Sequence, residues 1–220
     1  MHIAIIGGGR VGGTLGKRLH ALGHHIHYVV RDNRSEKSRQ LVSDTGARSI
    51  ASDSIETERV CGSAEVIILA LPWLEVEPSL KLAGDLSGKV VIDATNPIEL
   101  GPEGLAKGLI IGHTTSGAEQ VAQWARNAAI AKAFNTIGTA IMHNPMIDGS
   151  KTFLPVCGDA SAKAVAMQFA QELGFAAVDA GDLAMARLQE PFGMMWIHLA
   201  FFAGLGPEFT FKVVGRGKGF

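Results

Sequence analysis

The sequence is poor in the features that mark a nucleic-acid binder, a membrane protein or a disulfide-stapled secreted domain. Charge is nearly balanced, with 20 Lys and Arg against 21 Asp and Glu, and like charges never form a long run. A chain with so small a net field has no general attraction for nucleic acid or for an anionic bilayer. Cysteine is confined to Cys61 and Cys157, far apart and outside any CxxC spacing. That excludes a disulfide framework and points to a reduced, cytoplasmic protein. The longest apolar stretch, Pro191 to Leu205, is interrupted by Gly193, His198 and Gly204. It falls short of the roughly 20 residues that a membrane span requires, so it reads as a buried helix. A signal peptide is not expected, because a glycine-rich turn follows Met1 almost at once.

Metal-binding patterns are also missing. His20, His24, His25 and His27 crowd a helix end and the next strand, but no carboxylate or cysteine close in sequence completes a ligand set. His24 and His25 are expected in an exposed turn after Gly23. His143 and His198 stand alone and read as a loop histidine and a partly buried helix histidine.

What the chain has is hydrophobic residues, 47% of 220, and 27 glycines. The first suits one globular unit or a large domain with a small appendage, and the second implies tight turns and close backbone approaches. His2 to Ile6 is an apolar run ending in glycines, and Val11, Leu15, Leu19 and Leu22 then recur at helical spacing. Gly23 stops that helix and Ile26 to Val30 reads as a second strand, which completes a βαβ unit. Glu65 to Leu71, Lys89 to Ala94 and Ile130 to Phe134 read as further strands. Helices are expected over Ile55 to Cys61, Trp73 to Ala83 and Gly117 to Arg126. This alternation predicts an α/β fold with a Rossmann-type doubly wound parallel sheet. Gly138 to Lys151 is loop-rich. Phe153 to Cys157 and Phe175 to Asp179 read as strands around a helix from Ala160 to Leu173, and a long last helix starts near Asp182. A soft boundary at residue 150 divides a dinucleotide-binding domain, 1–150, from a small α/β C-terminal domain, 151–220.

Gly7-x-Gly9-x-x-Gly12 lies between that first strand and helix, the context the dinucleotide fingerprint requires. The first glycine permits the turn, the second lets the backbone approach a pyrophosphate, and the third lets helix and strand pack closely. The helix start presents free N–H groups to phosphate. Gly8, Arg10 and Val11 complete the turn. At the end of the second strand, Val30 is followed by Arg31, Asp32 and Arg34, with Lys37 shortly after. Arginine there suits the 2′-phosphate of NADP, whereas an acid would suit the ribose of NAD. Arg31 and Arg34 favour NADP; Asp32 is the opposing feature, since one residue of register would turn the site toward NAD. Leu71-Pro72-Trp73 and the turn holding Asn96 follow later strands, at the edge where open α/β sheets bind ligands. Trp73 reads equally well as a strand terminator and as a border of the nicotinamide pocket.

Several longer motifs resemble those of the NADPH-dependent reductases of the deazaflavin coenzyme F-420. They are IIGGGRVGGTLGKRL from Ile5, VIDATNP from Val91, KAFNTIG from Lys132, VCGDASAK from Val156, and LGFAAVDAGDLAMARLQEP from Leu173. The cytosolic reductase domain of the Steap metalloreductases is similar and works with an ordinary flavin. The resemblance implies NADP(H) across the glycine turn and Arg31, contacted by Gly8 to Val11, Val30 and Arg31. It implies a second coenzyme, F-420 or FMN/FAD, stacked on the nicotinamide beside Asn135, Thr136 and Ile137, and a homodimer. Archaeal members carry His where this chain has Asn135, a departure that bears on the identity of the acceptor. Hydride transfer between stacked rings needs orientation and a dry site more than acid–base groups, so no catalytic residue is assigned and no metal is expected. Asn135 is a candidate to hydrogen-bond a carboxamide or a ring carbonyl.

Arg187 and Glu190 are expected to pair along the last helix. The apolar residues beyond them, Trp196, Phe201 and Phe202, suit a dimer contact, the floor of an acceptor pocket or core packing alone. The rival readings are a non-enzymatic NADPH sensor and a reductase of small carbonyls or imines. The second kind carries a large helical C-terminal domain, for which the residues after 150 leave too little chain.

Overall fold

Alternating side chains on the first strand decide how the layers assemble. In the computed structural model, which describes residues 1–52, 55–101 and 106–215, β1 (His2–Ile6) sends Ile3 and Ile5 to one buried cluster and Ala4 and Ile6 to another. A strand covered on both faces must sit inside a sheet between helix layers. Residues 216–220 of the expected C-terminal domain lie outside the described ones.

The elements follow in chain order as α1 (Arg10–Ala21), β2 (His25–Val30), α2 (Glu36–Thr45), β3 (Arg48–Ala51), α3 (Glu56–Ser63) and β4 (Val66–Leu69). Next come α4 (Val76–Ala83), β5 (Val90–Asp93), β6 (Ile98–Leu100), β7 (Ala106–Leu109), α5 (Gly117–Trp124) and β8 (Ala129–Lys132). The chain ends with α6 (Thr139–His143), β9 (Met146–Ile147), β10 (Ser150–Lys151), β11 (Phe153–Gly158), α7 (Ala160–Glu172), β12 (Ala176–Gly181) and α8 (Ala186–Phe201). The main sheet runs β3-β2-β1-β4-β5-β8-β11-β12. From β3 to β8 every pairing is parallel. This is the doubly wound Rossmann arrangement, with its switch point between β1 and β4. The strands after residue 150 extend the same sheet: β11 pairs antiparallel with β8, and β12 parallel with β11.

Several elements were not foreseen, β3 and the short α6 among them. The α2 helix is mostly polar and packs chiefly through Leu41, so its periodicity is faint. It is set instead by its ends, where Ser35 Oγ accepts from the Ser38 amide at 3.2 Å and Gly46 closes the helix at φ 63°. The β6–β7 hairpin falls in a stretch given no assignment, and the β9–β10 hairpin in the loop-rich stretch after Gly138. The second turns on Asp148-Gly149, both at positive φ, as a tight hairpin requires.

His24 is a correction. It is buried rather than exposed, edge-on to Phe169, with Nε2 3.1 Å from Glu172 Oε2 on α7. Packing of α7 against the start of β2 covers the turn that the sequence left open. Among the described residues no helix is long and apolar enough to cross a membrane.

Lys132, the last residue of β8, ties the sheet to the helices that border the site. It is fully buried, and its ammonium lies 2.8 Å from Asp93 Oδ2 on β5 and 2.8 Å from Glu190 Oε1 on α8. Glu190 also accepts from the amides of Gly117 and Ala118 at the start of α5, at 2.8 and 3.0 Å. The positive end of that helix adds to the charge balance. Asp93 Oδ1 accepts from the Thr95 amide and hydroxyl at 2.8 and 2.7 Å. The expected Arg187–Glu190 pair does not form, because the two side chains leave α8 in different directions. Arg187 forks instead onto Glu119, at 2.9 and 2.6 Å.

Burial pulls the Lys132 pKa down, but Asp93 and Glu190 more than offset this, so it stands above the ordinary lysine value. A raised folded-state pKa stabilises the protein fully below the unfolded value, about 10.4, and the contribution fades as pH rises through the folded value. Lys132→Met strands two buried carboxylates and should cost about 3–5 kcal/mol in a denaturant melt. The alkaline loss of stability assigned to Lys132 should be absent from that variant; an unchanged midpoint and alkaline profile would refute the assignment.

Candidate functional site

The turn from β1 into α1 has the shape that a phosphate cradle needs. Gly7 stands at φ +110°, and a Cβ there would run into the carbonyl of Ala70. A Cβ at Gly12 would strike the carbonyl of Gly7, so only glycine allows the helix to pack this close to the strand. Gly9 is different: among the described residues no atom lies within 4 Å of the position its Cβ would take. The backbone is bare on that side. No side chain caps the helix start at Gly9, and its first turn holds no acid. Its first N–H groups are therefore available to an anion.

From this turn a cleft of about 460 Å³ runs over the ends of β1, β2 and β4. Gly7, Gly8, Gly9, Val30, Arg31, Leu71 and Pro72, all named from the sequence, line this one cleft. Arg10 lines an adjoining groove along α1, and Val11 and Gly12 belong to the first turn of that helix. Arg34 is exposed and is not among the lining residues; its amide donates to Asp32 Oδ1 at 2.8 Å. Asp32, Lys37, Glu75 and the serines Ser35, Ser38, Ser52 and Ser79 line it too, with Ile6 and Ala70. Ser35 and Ser38 had a visible signal, the Ser-Glu-Lys start of a helix. Glu75 had none, because it reaches the cleft from the short turn Trp73–Glu75 that the sequence merged with α4.

The second half of the expected site is closed upon itself. Asn96 and Asn135 clasp each other: Asn135 Nδ2 donates to Asn96 Oδ1, and Asn96 Nδ2 donates to the Asn135 carbonyl, both at 2.9 Å. Asn135 Nδ2 also donates to the Gln189 carbonyl at 3.3 Å, and Asn135 Oδ1 accepts from Gln189 Nε2 at 2.9 Å. The side chain offered as a partner for a carboxamide or ring carbonyl is thus already engaged on α8. Thr136 and Ile137 are buried, and Thr136 Oγ1 has no hydrogen-bond partner among the described residues. Trp73 is turned inward, tilted on Trp124 at 5.4 Å and pressed beneath Gly117. Trp196 is likewise inward, stacked on Phe209 and donating to its carbonyl at 3.0 Å, while Phe201 and Phe202 are exposed.

The carboxylate and amide groups that position this region, Asp93, Gln189 and Glu190, were not singled out as site residues. A lysine closing the apolar strand Ala-Ile-Ala-Lys was the available signal, since a buried ammonium demands acids nearby. Asn135→Ala would strip Gln189 Nε2 and Asn96 Oδ1 of a buried partner. It should lower stability by about 1–3 kcal/mol, measured by denaturant midpoint; no change would show that water replaces the amide.

Residues 2–97 match the family model described as NADP oxidoreductase coenzyme F420-dependent. The chain is 28% identical over 203 residues to the F420-dependent NADP reductase of Methanocaldococcus jannaschii, covering 86% of this chain and 88% of that protein. It is 31% identical over 186 residues to the metalloreductase STEAP3 of Rattus norvegicus, covering 84% of this chain. The chain spans only 35% of that metalloreductase's length. A crystal structure from Arthrobacter sp. FB24, provisionally described as an F420-dependent NADP reductase, superposes with a TM-score of 0.87 at 28% identity. It covers 98% of this chain and 100% of that one. Through residues 2–97 the chain is thus similar to the NADP oxidoreductase, coenzyme F420-dependent, family.

Proposed function

We propose that this protein transfers a hydride between NADP(H) and a flat ring coenzyme, a deazaflavin of the F-420 type or a flavin. The observation that carries the nucleotide half is the bare backbone at Gly9 opening into a cleft that holds Arg31 and Lys37. The glycine turn would take the pyrophosphate on its N–H groups. Arg31 and Lys37 would hold the 2′-phosphate, for which a guanidinium fork is suited. Asp32 is engaged with its own loop through the Arg34 amide, which weakens it as an NAD-type ribose acceptor.

The acceptor half rests on likeness to the methanogen reductase along most of both chains. When bound, the nicotinamide and the acceptor ring would supply the hydride chemistry between them; the protein's part would be to bind, orient and exclude water. Asn96, Asn135 and Gln189 would act by rigidity, holding the loop after β8 against α8.

NADPH oxidation should be measured in parallel with coenzyme F-420, FMN, FAD and ferric chelates. Turnover with the deazaflavin or a flavin is expected, and none with any acceptor would favour a sensor of NADPH instead. Arg31→Ala should raise the Kd of NADPH by about tenfold or more and that of NADH by much less, as loss of a charge-assisted contact predicts. Equal losses for both nucleotides would remove the 2′-phosphate from Arg31.

A further inference from the structure

Arg31 is exposed but engaged. Its Nη2 lies 3.0 Å from Glu75 Oε1, across the cleft that both residues line. Glu75 comes from the turn after β4, so the pair bridges two loops on either side of the strand that carries the glycine turn. Packing does not explain the carboxylate, because its side chain is 48% exposed and that of Arg31 is 81% exposed. An ion pair so open to water contributes little to stability and separates easily. It does decide which charge the guanidinium faces before a nucleotide arrives.

We propose that Glu75 is a specificity-determining residue for the nucleotide, competing with the 2′-phosphate for Arg31 and accepting the ribose 2′-hydroxyl when that phosphate is missing. This rests on the NADP reading of the same cleft. A 2′-phosphate carries about −1.5 to −2 charges and three strong acceptor oxygens, so it outbids a carboxylate for the guanidinium. Glu75 then stands beside the phosphate as a like charge and weakens its binding. With a bare ribose, Glu75 keeps Arg31 and presents its free oxygen to the hydroxyl, the part that an acid at the end of the second strand plays in NAD enzymes. Asp32 stands near that strand end, but among the described residues Arg31 pairs with Glu75 and not with Asp32, whose Oδ1 accepts from the Arg34 amide. Lys37 and Asp32 are the other charged groups lining the cleft, and they leave the competition at Arg31 to Glu75.

Binding without turnover tests this, because it needs no acceptor. The wild type, Glu75→Gln, Arg31→Ala and the double variant are titrated calorimetrically with adenosine 2′,5′-bisphosphate and with adenosine 5′-monophosphate. Glu75→Gln should bind the bisphosphate about fivefold more tightly and the monophosphate no better, so the ratio of the two affinities rises about fivefold or more. The gain should vanish when Arg31 is already alanine. An unchanged ratio in Glu75→Gln, or the same gain without Arg31, would overturn the role of Glu75 while leaving the nucleotide site standing. A wild type that binds neither the bisphosphate nor NADPH would overturn both. Thermal melts of each variant, expected to match the wild type because the pair is exposed, separate these outcomes from misfolding.

Discussion

One buried ammonium organises the region where the strands end. Lys132 would be too costly to hide alone, since desolvating a charge without partners is worth several kcal/mol. It is held by Asp93 from the neighbouring strand and by Glu190 from the last helix, and Glu190 in turn reaches the free amides of α5. Four elements distant in sequence are thereby joined at one point. Asp93 shapes the turn into Asn96, and the residue before Glu190 is Gln189, which clamps Asn135. The loops at the end of β5 and β8 therefore owe their positions to a charge network that meets no solvent.

The nucleotide half is built on the opposite principle. At Gly7 and Gly12 side chains are absent because backbone must pass close to backbone, and at Gly9 no atom of the described residues fills the space. The charged groups around the adjoining cleft are exposed and form only loose contacts among themselves. Rigid backbone with adaptable charges suits a ligand whose pyrophosphate is invariant but whose 2′ substituent must be recognised. The region proposed for the acceptor shows the reverse, with amides already satisfied by one another. A flat ring placed there would be met by shape and by few polar groups, which accords with chemistry that the coenzymes themselves supply.

The strands after residue 150 join the main sheet rather than a sheet of their own. β11 pairs with β8 through Cys157 and Lys132, and Gly158 can lie close against Ala131 only because it lacks a side chain. The same contact brings α7 onto β8 and covers His24. Long-range pairing of this kind leaves no local trace. An edge strand and a strand of a separate small sheet have the same alternation.

Sequence by itself determined the parallel sheet, the glycine turn and the strand-end arginine. Each is a local pattern: apolar runs of fixed period, glycines at set spacing, and a cation within a few residues of a strand end. It did not determine which partner each charged or amide group takes. Arg187 prefers Glu119 to its helical neighbour Glu190, Asn135 spends its amide on Asn96 and Gln189, and Arg31 faces Glu75. Those choices depend on which elements the folded sheet brings together, and desolvation makes them compulsory in the interior while leaving them open to exchange at the surface.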